Sequence, residues 1–280
     1  MLQTRFVPVA LDQAYQRRQK DAEGEFYRRI AGQGPRSNFN GTTQGLYIAT
    51  ADGTFLAYNN NRGPDRVRRL MTKALDGFQP PKTAPIQRGK PDSRYNPDPP
   101  EGGLVVRVRA KVLGGYDETD DPWQRIFQTA LSRDNLWISK SEHQALVRGE
   151  LPMSLQRRIA RFHLVDNTRG EPPMWREQEI RRLDLSLDGG RLTGSVQLRT
   201  QNGDRGYDAE LYGVVETAGG KVTRLDLVAK GAFWGHGPFT GRAPQGKFPL
   251  AVSFTVADGG EVADRIAPQG SRGWVRGYIQ

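Results

Sequence analysis

The sequence contains no cysteine among its 280 residues. That absence excludes disulfide scaffolds, thiolate metal sites, iron–sulfur clusters, CxxC redox pairs and cysteine nucleophiles. Histidine is scarce too, and the three histidines, His143, His163 and His236, show no HxH or HxxxH spacing of the kind that forms a local metal site. We therefore predict no metal site and no cofactor.

Long hydrophobic runs are missing as well. No segment approaches the roughly 18 to 20 uninterrupted apolar residues that a membrane-spanning helix needs, so we predict no transmembrane segment. The first residues, MLQTRFVPVALDQ, do not resemble a signal peptide, because their apolar stretch is short and contains Pro8. The compartment stays open, and if the protein is exported its leader is absent from this chain.

The signatures of several common enzyme classes are absent from the sequence. There is no GxSxG, GxxxxGKS/T, HExxH or GxGxxG string. Serine hydrolases of the nucleophile-elbow type, P-loop enzymes, zinc proteases and dinucleotide-binding domains therefore lack their local motifs here.

The composition that is present is ordinary for a globular protein, with 36% hydrophobic residues, 33 glycines and 18 prolines. A length of 280 residues, against roughly 150 residues for an average domain, predicts either one large domain or two small ones. Segment 79–102 is dense in proline, glycine and charge and has little to bury, so we predict a linker there. One domain then covers residues 1–78 and the other covers residues 103–280.

The formal net charge is +10, from 41 basic and 31 acidic side chains. Residues 1–100 hold 16 of the basic and 9 of the acidic ones, so most of the excess lies in the N-terminal domain. Such a field attracts polyanions, although a basic surface can also serve solubility alone. The residues predicted to bind a polyanion are Arg17, Arg18, Arg28, Arg29, Arg66 and Arg69, with Lys20 and Arg68 beside them.

Local patterns in the N-terminal domain predict an α/β module. Phe6–Leu11 has the composition of a short strand, and the apolar spacing over residues 14–31 predicts one or two short helices. Asp52-Gly53, between two β-rich runs, predicts a hairpin. Segment 64–77 opens with a proline and closes with a glycine, which are the start and stop signals of a helix.

This order of strand, helix, hairpin and helix over residues 5–78 resembles the C-terminal portion of a thioredoxin-like domain. The strings FVPVALD, FYRRIA, TQGLYIATADGTFLAY and GPDRVRRLMTKALDGF carry the resemblance. The CxxC motif of that family would lie upstream of Met1, and the position of its cis-proline reads GTTQ at residues 41–44. The resemblance therefore implies an incomplete, redox-inactive thioredoxin-like module.

The C-terminal domain is predicted to be an antiparallel β domain with a helical insert. Residues 104–112 alternate apolar and basic side chains as in a half-buried strand. Residues 121–166 are predicted to form helical segments. From residue 178 onward the period becomes two, and five runs joined by short glycine-containing turns predict a meander. The fold class is thus α+β, with an open sheet or a partial barrel.

The most unusual string is the glycine-rich segment at residues 230–252. One hypothesis makes it a ligand-binding site formed by Trp234, His236, Arg242 and Lys247, with His236 as a general base and the two cations holding an anion. The alternative is a packed loop anchored by Phe233, Trp234 and Phe239.

Acidic residues on the sheet allow two interpretations. Asp184, Asp208 and Asp226 share the face opposite the apolar residues of their strands. They could serve hydrolysis as paired carboxylates. Ion pairs across neighbouring strands are the simpler expectation, with the basic partners Arg182, Arg199, Arg205 and Arg224.

These observations support three hypotheses about function. The leading one is a non-catalytic binding or scaffold protein, with a protein or an acidic polymer as its partner, in which the thioredoxin-like module is redox-inactive. The second is a hydrolase-type enzyme that uses the loop around His236 and the carboxylates of the sheet. The third is a polyanion-binding protein that uses the basic N-terminal module.

Overall fold

The computed structural model describes residues 1–61, 63–82, 89–271 and 274–279, and it separates into two units, Met1–Pro97 and Asp98–Gln280. We call them unit 1 and unit 2. The division at Pro97 falls within the segment predicted as a linker, of which residues 83–88 lie outside the described residues. Within the described ranges, no helix has the length and apolar character needed to cross a membrane.

The described residues of unit 1 form four helices and one β-hairpin. Its elements are α1 (Leu2–Arg5), α2 (Gln13–Gln16), α3 (Ala22–Gly32), β1 (Leu46–Ala49), β2 (Phe55–Asn59) and α4 (Pro64–Leu75). The predicted hairpin is confirmed, since β1 and β2 pair antiparallel and Gly53 adopts a φ of 86° in the turn. The predicted helix at the end of the module is also confirmed as α4, and Gly77 follows it with a φ of 67°.

The strand predicted over Phe6–Leu11 is wrong. These residues belong to no strand, and the alternating side chains of Val7 and Val9 are 87% and 69% exposed. Strand-like composition stabilises a strand only where a neighbouring strand accepts its hydrogen bonds and a core takes its apolar face. The segment has neither here, and Pro8 lacks a backbone donor.

A polar hub at Asp21 holds the end of unit 1 in place. The Asp21 carboxylate caps α3 by accepting from the Gly24 amide at 2.9 Å, and it also accepts from the Asp92 amide at 2.9 Å. In return, the Asp92 carboxylate accepts from the Lys20 amide at 2.9 Å. The part of the predicted linker around Asp92 is therefore bonded to unit 1 rather than extended away from it.

Unit 2 is a seven-stranded antiparallel sheet that curls into an open half-barrel. Its strands are β3 (Leu104–Val112), β4 (Asp134–Ile138), β5 (Ile180–Asp188), β6 (Arg191–Arg199), β7 (Gly206–Ala218), β8 (Lys221–Trp234) and β9 (Lys247–Val256). The strand order is β4-β3-β9-β8-β7-β6-β5, so the predicted meander is confirmed as consecutive pairs from β5 to β9.

One face of the curled sheet forms the core. Side chains such as Val108, Leu211, Leu227 and Phe254 alternate with polar neighbours and are almost completely buried. A helical insert packs on the sheet, and its π-helical turn Ile159–His163 contacts both edge strands, β4 and β5. The remaining helices of unit 2 are α5 (Pro122–Thr129), α6 (Lys140–Val147), α7 (Met153–Arg158) and α8 (Val275–Ile279).

Strand β4 lies where the sequence predicted helix. Its run DNLWI pairs antiparallel with β3, with Trp137 opposite Val105 and Leu136 opposite Val106. A short apolar run fits a buried strand or a buried helix equally well, and only the neighbouring strand decides between them. The next helix, α6, begins after Ser139, whose side chain accepts from the Glu142 amide in a capping box.

The C-terminal helix is anchored by a buried ion pair. Arg158 and Glu142 lie 2.6 Å apart, with side chains 2% and 5% exposed. The Arg158 guanidinium also donates to the carbonyl oxygens of Trp137, Tyr278 and Ile279. Burial alone raises the pKa of the Glu142 carboxyl, but the hydrogen bond from Arg158 and the other donors outweigh it, so this pKa lies below its ordinary value.

Candidate functional site

The face of the sheet opposite the core, which we call the outer face, carries two of the predicted ligand-binding residues. Strand register places Lys247 beside Trp234, Trp234 beside Gly206 and Gly206 beside Arg199 in one row across β9, β8, β7 and β6. Arg199 thereby joins the predicted pair of Trp234 and Lys247, because one residue of each strand faces the same side at the same level.

Trp234 is held rigidly in this row. Its indole nitrogen donates to the Gly203 carbonyl oxygen at 3.0 Å. A Cβ on Gly206 would lie 2.1 Å from the Trp234 side chain, so the ring rests directly on a backbone that only glycine provides. The Arg199 guanidinium lies 5.2 Å and the Lys247 ammonium 4.4 Å from the ring centroid, as in cation–π contacts.

Asp208 lies next to this row and bonds both cations. Its Oδ2 atom is 3.4 Å from the Arg199 guanidinium and 3.6 Å from the Lys247 ammonium. Its Oδ1 atom is buried and has no hydrogen-bond partner among the described residues. One carboxylate therefore faces two cations, and the cluster of Trp234, Arg199, Lys247 and Asp208 carries a positive charge overall.

A shallow groove on the outer face adjoins the cluster and has a volume of about 650 Å³. We call it the outer groove. Its floor consists of small and apolar residues and its rim carries charge, a combination suited to a ligand with both apolar and charged parts. The lining residues are Glu210, Tyr212, Val228, Lys230, Gly231, Ala232, Lys247, Phe248 and Pro249.

The apolar part of the groove is open to solvent. Tyr212 is 60% exposed and Val228 is 43% exposed, and the two residues lie opposite each other on β7 and β8. Large apolar side chains that adjoin each other on an exposed face are typical of an interaction surface, whereas isolated ones need no explanation.

One cation of the outer groove, Lys230, and two cations farther along the outer face, Arg109 and Lys111, extend the positive charge of this region. Lys230 lies opposite Glu210 on β7, and on β3 the residues Arg109 and Lys111 lie on the outer face opposite Ser253 and Ala251. Among the described residues, none of Lys230, Arg109 and Lys111 has an ion-pair partner. Their charges therefore remain available to an anionic partner.

His236 does not join this site. It is exposed, and its Nδ1 atom lies 3.1 Å from the carbonyl oxygen of Gly237. No carboxylate of the described residues forms an ion pair with it, and it does not line the outer groove. The geometry thus lacks the acidic partner that the hydrolase hypothesis requires beside His236.

Arg242, the fourth predicted ligand-binding residue, has a different neighbour. Its guanidinium lies 5.4 Å from the ring centroid of Phe127, and its backbone is in the left-handed region with a φ of 66°. Of the four predicted residues, the structure thus brings together Trp234 and Lys247 and places His236 and Arg242 elsewhere in the loop.

The glycine-rich loop is anchored from outside, by Arg169. This buried side chain pairs with Asp166 and donates to the carbonyl oxygens of Thr240 and Gly241. Phe239, which the sequence predicted as an anchor, is instead 75% exposed. The hydrogen bonds from the buried Arg169 guanidinium, rather than burial of Phe239, therefore hold this part of the loop.

The ion pairs predicted between neighbouring strands are present only in part. Asp208 on β7 pairs with Arg199 on β6 at 3.4 Å, whereas Asp184 and Asp226 pair within their own strands, with Arg182 at 3.3 Å and with Arg224 at 2.6 Å. Arg205 takes no part in them, because its side chain is buried, lies 3.9 Å over the Trp175 ring and donates to the Pro173 carbonyl oxygen at 2.5 Å. Burial lowers the pKa of Arg205.

Several of the arginines predicted to bind a polyanion serve the structure of unit 1. Arg17 donates to the carbonyl oxygen of Gly41, and Arg28 donates to that of Gln19 at 2.5 Å. Arg29 donates to the carbonyl oxygen of Asp52 at 3.4 Å. The other three, Arg18, Arg66 and Arg69, are exposed.

Sequence reasoning missed Tyr212, Lys230 and Pro249 as members of a surface. Each of them alternates with residues of the core along its strand, and this alternation alone indicates that they lie on the outer face. Which residues of different strands lie side by side on that face depends on strand register, and the sequence patterns do not give the register.

Comparison of the chain with protein-family models, with curated proteins and with solved structures found no match. Within the described ranges, no group of three or more histidine, aspartate or glutamate side chains is placed to hold a metal ion. The geometry of the site is therefore the basis on which a function is proposed.

Proposed function

We propose that the protein is a non-catalytic binding protein and that the outer groove takes an acidic segment of a partner protein that carries apolar side chains. The single observation that carries this proposal is the juxtaposition of an exposed apolar floor with Lys230, a cation that has no ion-pair partner among the described residues. Tyr212, Val228 and Pro249 offer apolar contact beside it, and the second cation of the lining, Lys247, shares Asp208 with Arg199. Charge complementarity of this kind steers association and selects the partner.

Two further features support a binding role. Trp234 and Arg199 belong to residue types that are enriched where interfaces gain most of their affinity, and both are already fixed in place by the contacts described above. A preorganised surface loses less conformational entropy on binding. Among the described residues, none supplies a carboxylate that pairs with His236, and this favours a binding role over hydrolysis.

In this proposal, unit 1 is a redox-inactive thioredoxin-like module. The hairpin and α4 support the resemblance, because they follow the order that the sequence strings indicate, whereas the strand that should open that order at Phe6–Leu11 is not formed. The lack of cysteine throughout the chain supports the loss of redox chemistry.

Fluorescence anisotropy of a fluorescein-labelled dodecapeptide that alternates Glu and Leu tests the proposed partner class. We expect this peptide to bind the full-length chain, and we expect the matching Lys and Leu peptide not to bind. Two substitutions, Lys230→Glu and Ala232→Gln, should weaken binding about tenfold or more, because one reverses the rim charge and the other fills the floor without adding a charge.

The matched control is Lys221→Glu, an identical charge reversal at an exposed position of β8 outside the groove. Equal weakening by Lys221→Glu and Lys230→Glu would contradict a local site and would indicate a response to net charge alone. Binding of both peptides with the same affinity would contradict the acidic partner class.

A survey of ester, phosphate and glycoside hydrolysis and of insulin reduction tests the absence of catalysis. We expect no turnover that scales with protein concentration. Turnover that scales with protein concentration and disappears in His236→Ala would overturn the binding proposal in favour of the enzyme hypothesis.

A further inference from the structure

A second groove lies within unit 1, between the end of α1 and one side of α4, with a volume of about 670 Å³. We call it the basic groove. It is lined by Met1, Arg5, Arg68, Arg69, Thr72, Lys73, Leu75 and Asp76. The helical spacing of Arg69 and Lys73 places both side chains on the same side of α4, and Arg5 faces them from α1.

The charge of this groove is strongly one-sided. Four cations line it against a single carboxylate, that of Asp76. Arg68 also pairs with Asp65 at 3.2 Å, but both side chains are more than 70% exposed, so water screens that pair. Among the described residues, Arg5, Arg69 and Lys73 have no ion-pair partner.

The surrounding charge adds to the local excess. Unit 1 contains 16 basic and 8 acidic side chains, whereas unit 2 is close to neutral with 25 and 23. The field of unit 1 therefore favours anions at the basic groove before any contact forms.

We propose that the basic groove binds an oligophosphate, that is, a run of linked phosphate groups. The guanidinium group presents paired donors that match the oxygens of a phosphate, and Arg5, Arg68 and Arg69 supply three such groups. Lys73 adds a compact point charge. The Thr72 hydroxyl already donates to the Arg68 carbonyl oxygen at 3.0 Å, so the cations alone provide free donors.

Among the described residues that line the basic groove, none is an aromatic side chain on which a base could stack. Recognition in this proposal is therefore of the phosphate chain itself, whether the chain is free or ends a nucleotide. The site belongs to unit 1, and the proposal does not depend on the outer groove of unit 2.

Isothermal titration calorimetry of the full-length chain tests the proposal, with sodium tripolyphosphate as the first probe and ATP as the second. We expect both to bind, and an affinity that falls steeply with added salt, because several phosphate charges are neutralised. Equal affinities for the two probes would show that the linked phosphates are sufficient for binding. Tighter binding of ATP would show that the groove prefers a phosphate chain attached to a nucleoside.

Two substitutions, Arg69→Glu and Lys73→Glu, should each weaken tripolyphosphate binding about tenfold or more. Arg18→Glu is the matched reversal, since Arg18 is exposed in the same unit and lies outside the lining of the groove. We expect Arg18→Glu to change the affinity less than about twofold.

Three outcomes would overturn the proposal. The first is no heat of binding for tripolyphosphate at millimolar concentration and low salt. The second is equal weakening by Arg18→Glu and Arg69→Glu, which would indicate attraction by net charge alone. The third is retention on heparin that Arg69→Glu abolishes while tripolyphosphate still fails to bind, which would assign the groove to sulfated polymers. None of these outcomes affects the peptide assay of the outer groove.

Discussion

Units 1 and 2 maintain their folds by different means. Unit 2 buries a continuous apolar core against seven strands, and that core includes large side chains such as Trp137, Trp175 and Phe254. In unit 1, the buried apolar side chains of the described residues are Tyr27, Ala31 and Met71. A two-stranded sheet with so small a core is marginal by itself, so unit 1 depends on its polar contacts.

The polar contacts of unit 1 are numerous and local. Asp21 and Asp92 cap each other's segments, as described above, and the buried hydroxyl of Thr43 lies 2.6 Å from the Tyr27 hydroxyl and 3.0 Å from the Gln13 side chain. Such bonds contribute about 1 kcal/mol each, much less than burial of a large side chain. The comparison indicates that unit 1 is the less stable unit and that its loss need not unfold unit 2.

The largest expected effect is the loss of the buried ion pair in unit 2. Arg158→Ala leaves the Glu142 carboxylate buried without its partner and releases the carbonyl oxygens of Tyr278 and Ile279. We expect the free energy of unfolding of unit 2 to fall by about 3 to 5 kcal/mol. All five tryptophans lie in unit 2, so tryptophan fluorescence during urea unfolding reports on that unit alone.

The control for this variant is Arg157→Ala, whose exposed side chain pairs with Glu177 at 3.2 Å. We expect that change to alter the free energy of unfolding by less than about 0.5 kcal/mol. A similar loss of stability in both variants would contradict the role assigned to the buried pair.

The next largest effect is expected at the polar hub of unit 1. Asp21→Ala removes the cap of α3 and the acceptor of the Asp92 amide, which should cost about 1 to 2 kcal/mol. Hydrogen exchange followed by mass spectrometry should show faster exchange over residues 22–32 and 90–96 and unchanged exchange in β7 and β8. Asp65→Ala, at an exposed carboxylate in the first turn of α4, is the control. Faster exchange in both units would contradict their independence.

A smaller effect is expected from acid. Burial alone raises the pKa of the Asp21 carboxyl, but the hydrogen bonds from the amides of Asp92 and Gly24 outweigh it, so this pKa lies below 3.8, and the pKa of Asp92 is lowered in the same way. A carboxyl with a lowered pKa stabilises the folded state above the pKa of the unfolded chain, and this contribution is lost as the pH falls through the folded pKa.

We therefore expect each such carboxyl to withdraw stability from unit 1 as the pH falls below the ordinary carboxyl pKa of 3.8 and through the lower pKa of the folded state. Brief digestion with pepsin across this range should cut unit 1 at a higher pH than unit 2, after correction with an unstructured reference peptide. Asp92→Asn should make cleavage of unit 1 less dependent on pH. Cleavage of unit 2 at a higher pH than unit 1 would contradict the conclusion that unit 1 is the less stable unit.

The smallest effect is expected on the outer face of unit 2. Arg224 pairs with Asp226 at 2.6 Å and with Glu216 at 2.8 Å, but all three side chains are exposed by 41% or more. Solvent screens these pairs, so Arg224→Ala should change the free energy of unfolding by less than about 0.5 kcal/mol in the same fluorescence assay. A loss comparable to that of Arg158→Ala would show that exposed ion pairs stabilise this sheet as much as its core does.

Much of the fold could be predicted from local sequence patterns. The alternation along β3 and β5 to β9, the DG turn of the hairpin and the proline and glycine that flank α4 each indicate an element without help from the rest of the chain. Prediction failed at Phe6–Leu11 and at β4, where a short apolar run fits more than one structure and a neighbouring strand decides.

The candidate site was predictable only in part. The glycine-rich string drew attention to Trp234 and Lys247, which the structure does bring together. It also drew attention to His236 and Arg242, which instead contact the Gly237 carbonyl oxygen and the Phe127 ring. Proximity along a loop does not imply a shared pocket, because a loop turns its successive side chains in different directions.

The sequence by itself determined the chemistry that this protein lacks and the faces of its strands. Without cysteine there is no thiol chemistry in any fold, and a period of two assigns each strand residue to one face or the other. Tertiary structure decided which residues meet on those faces. The row of Arg199, Gly206, Trp234 and Lys247 brings together residues up to 48 positions apart, and strand register alone aligns them.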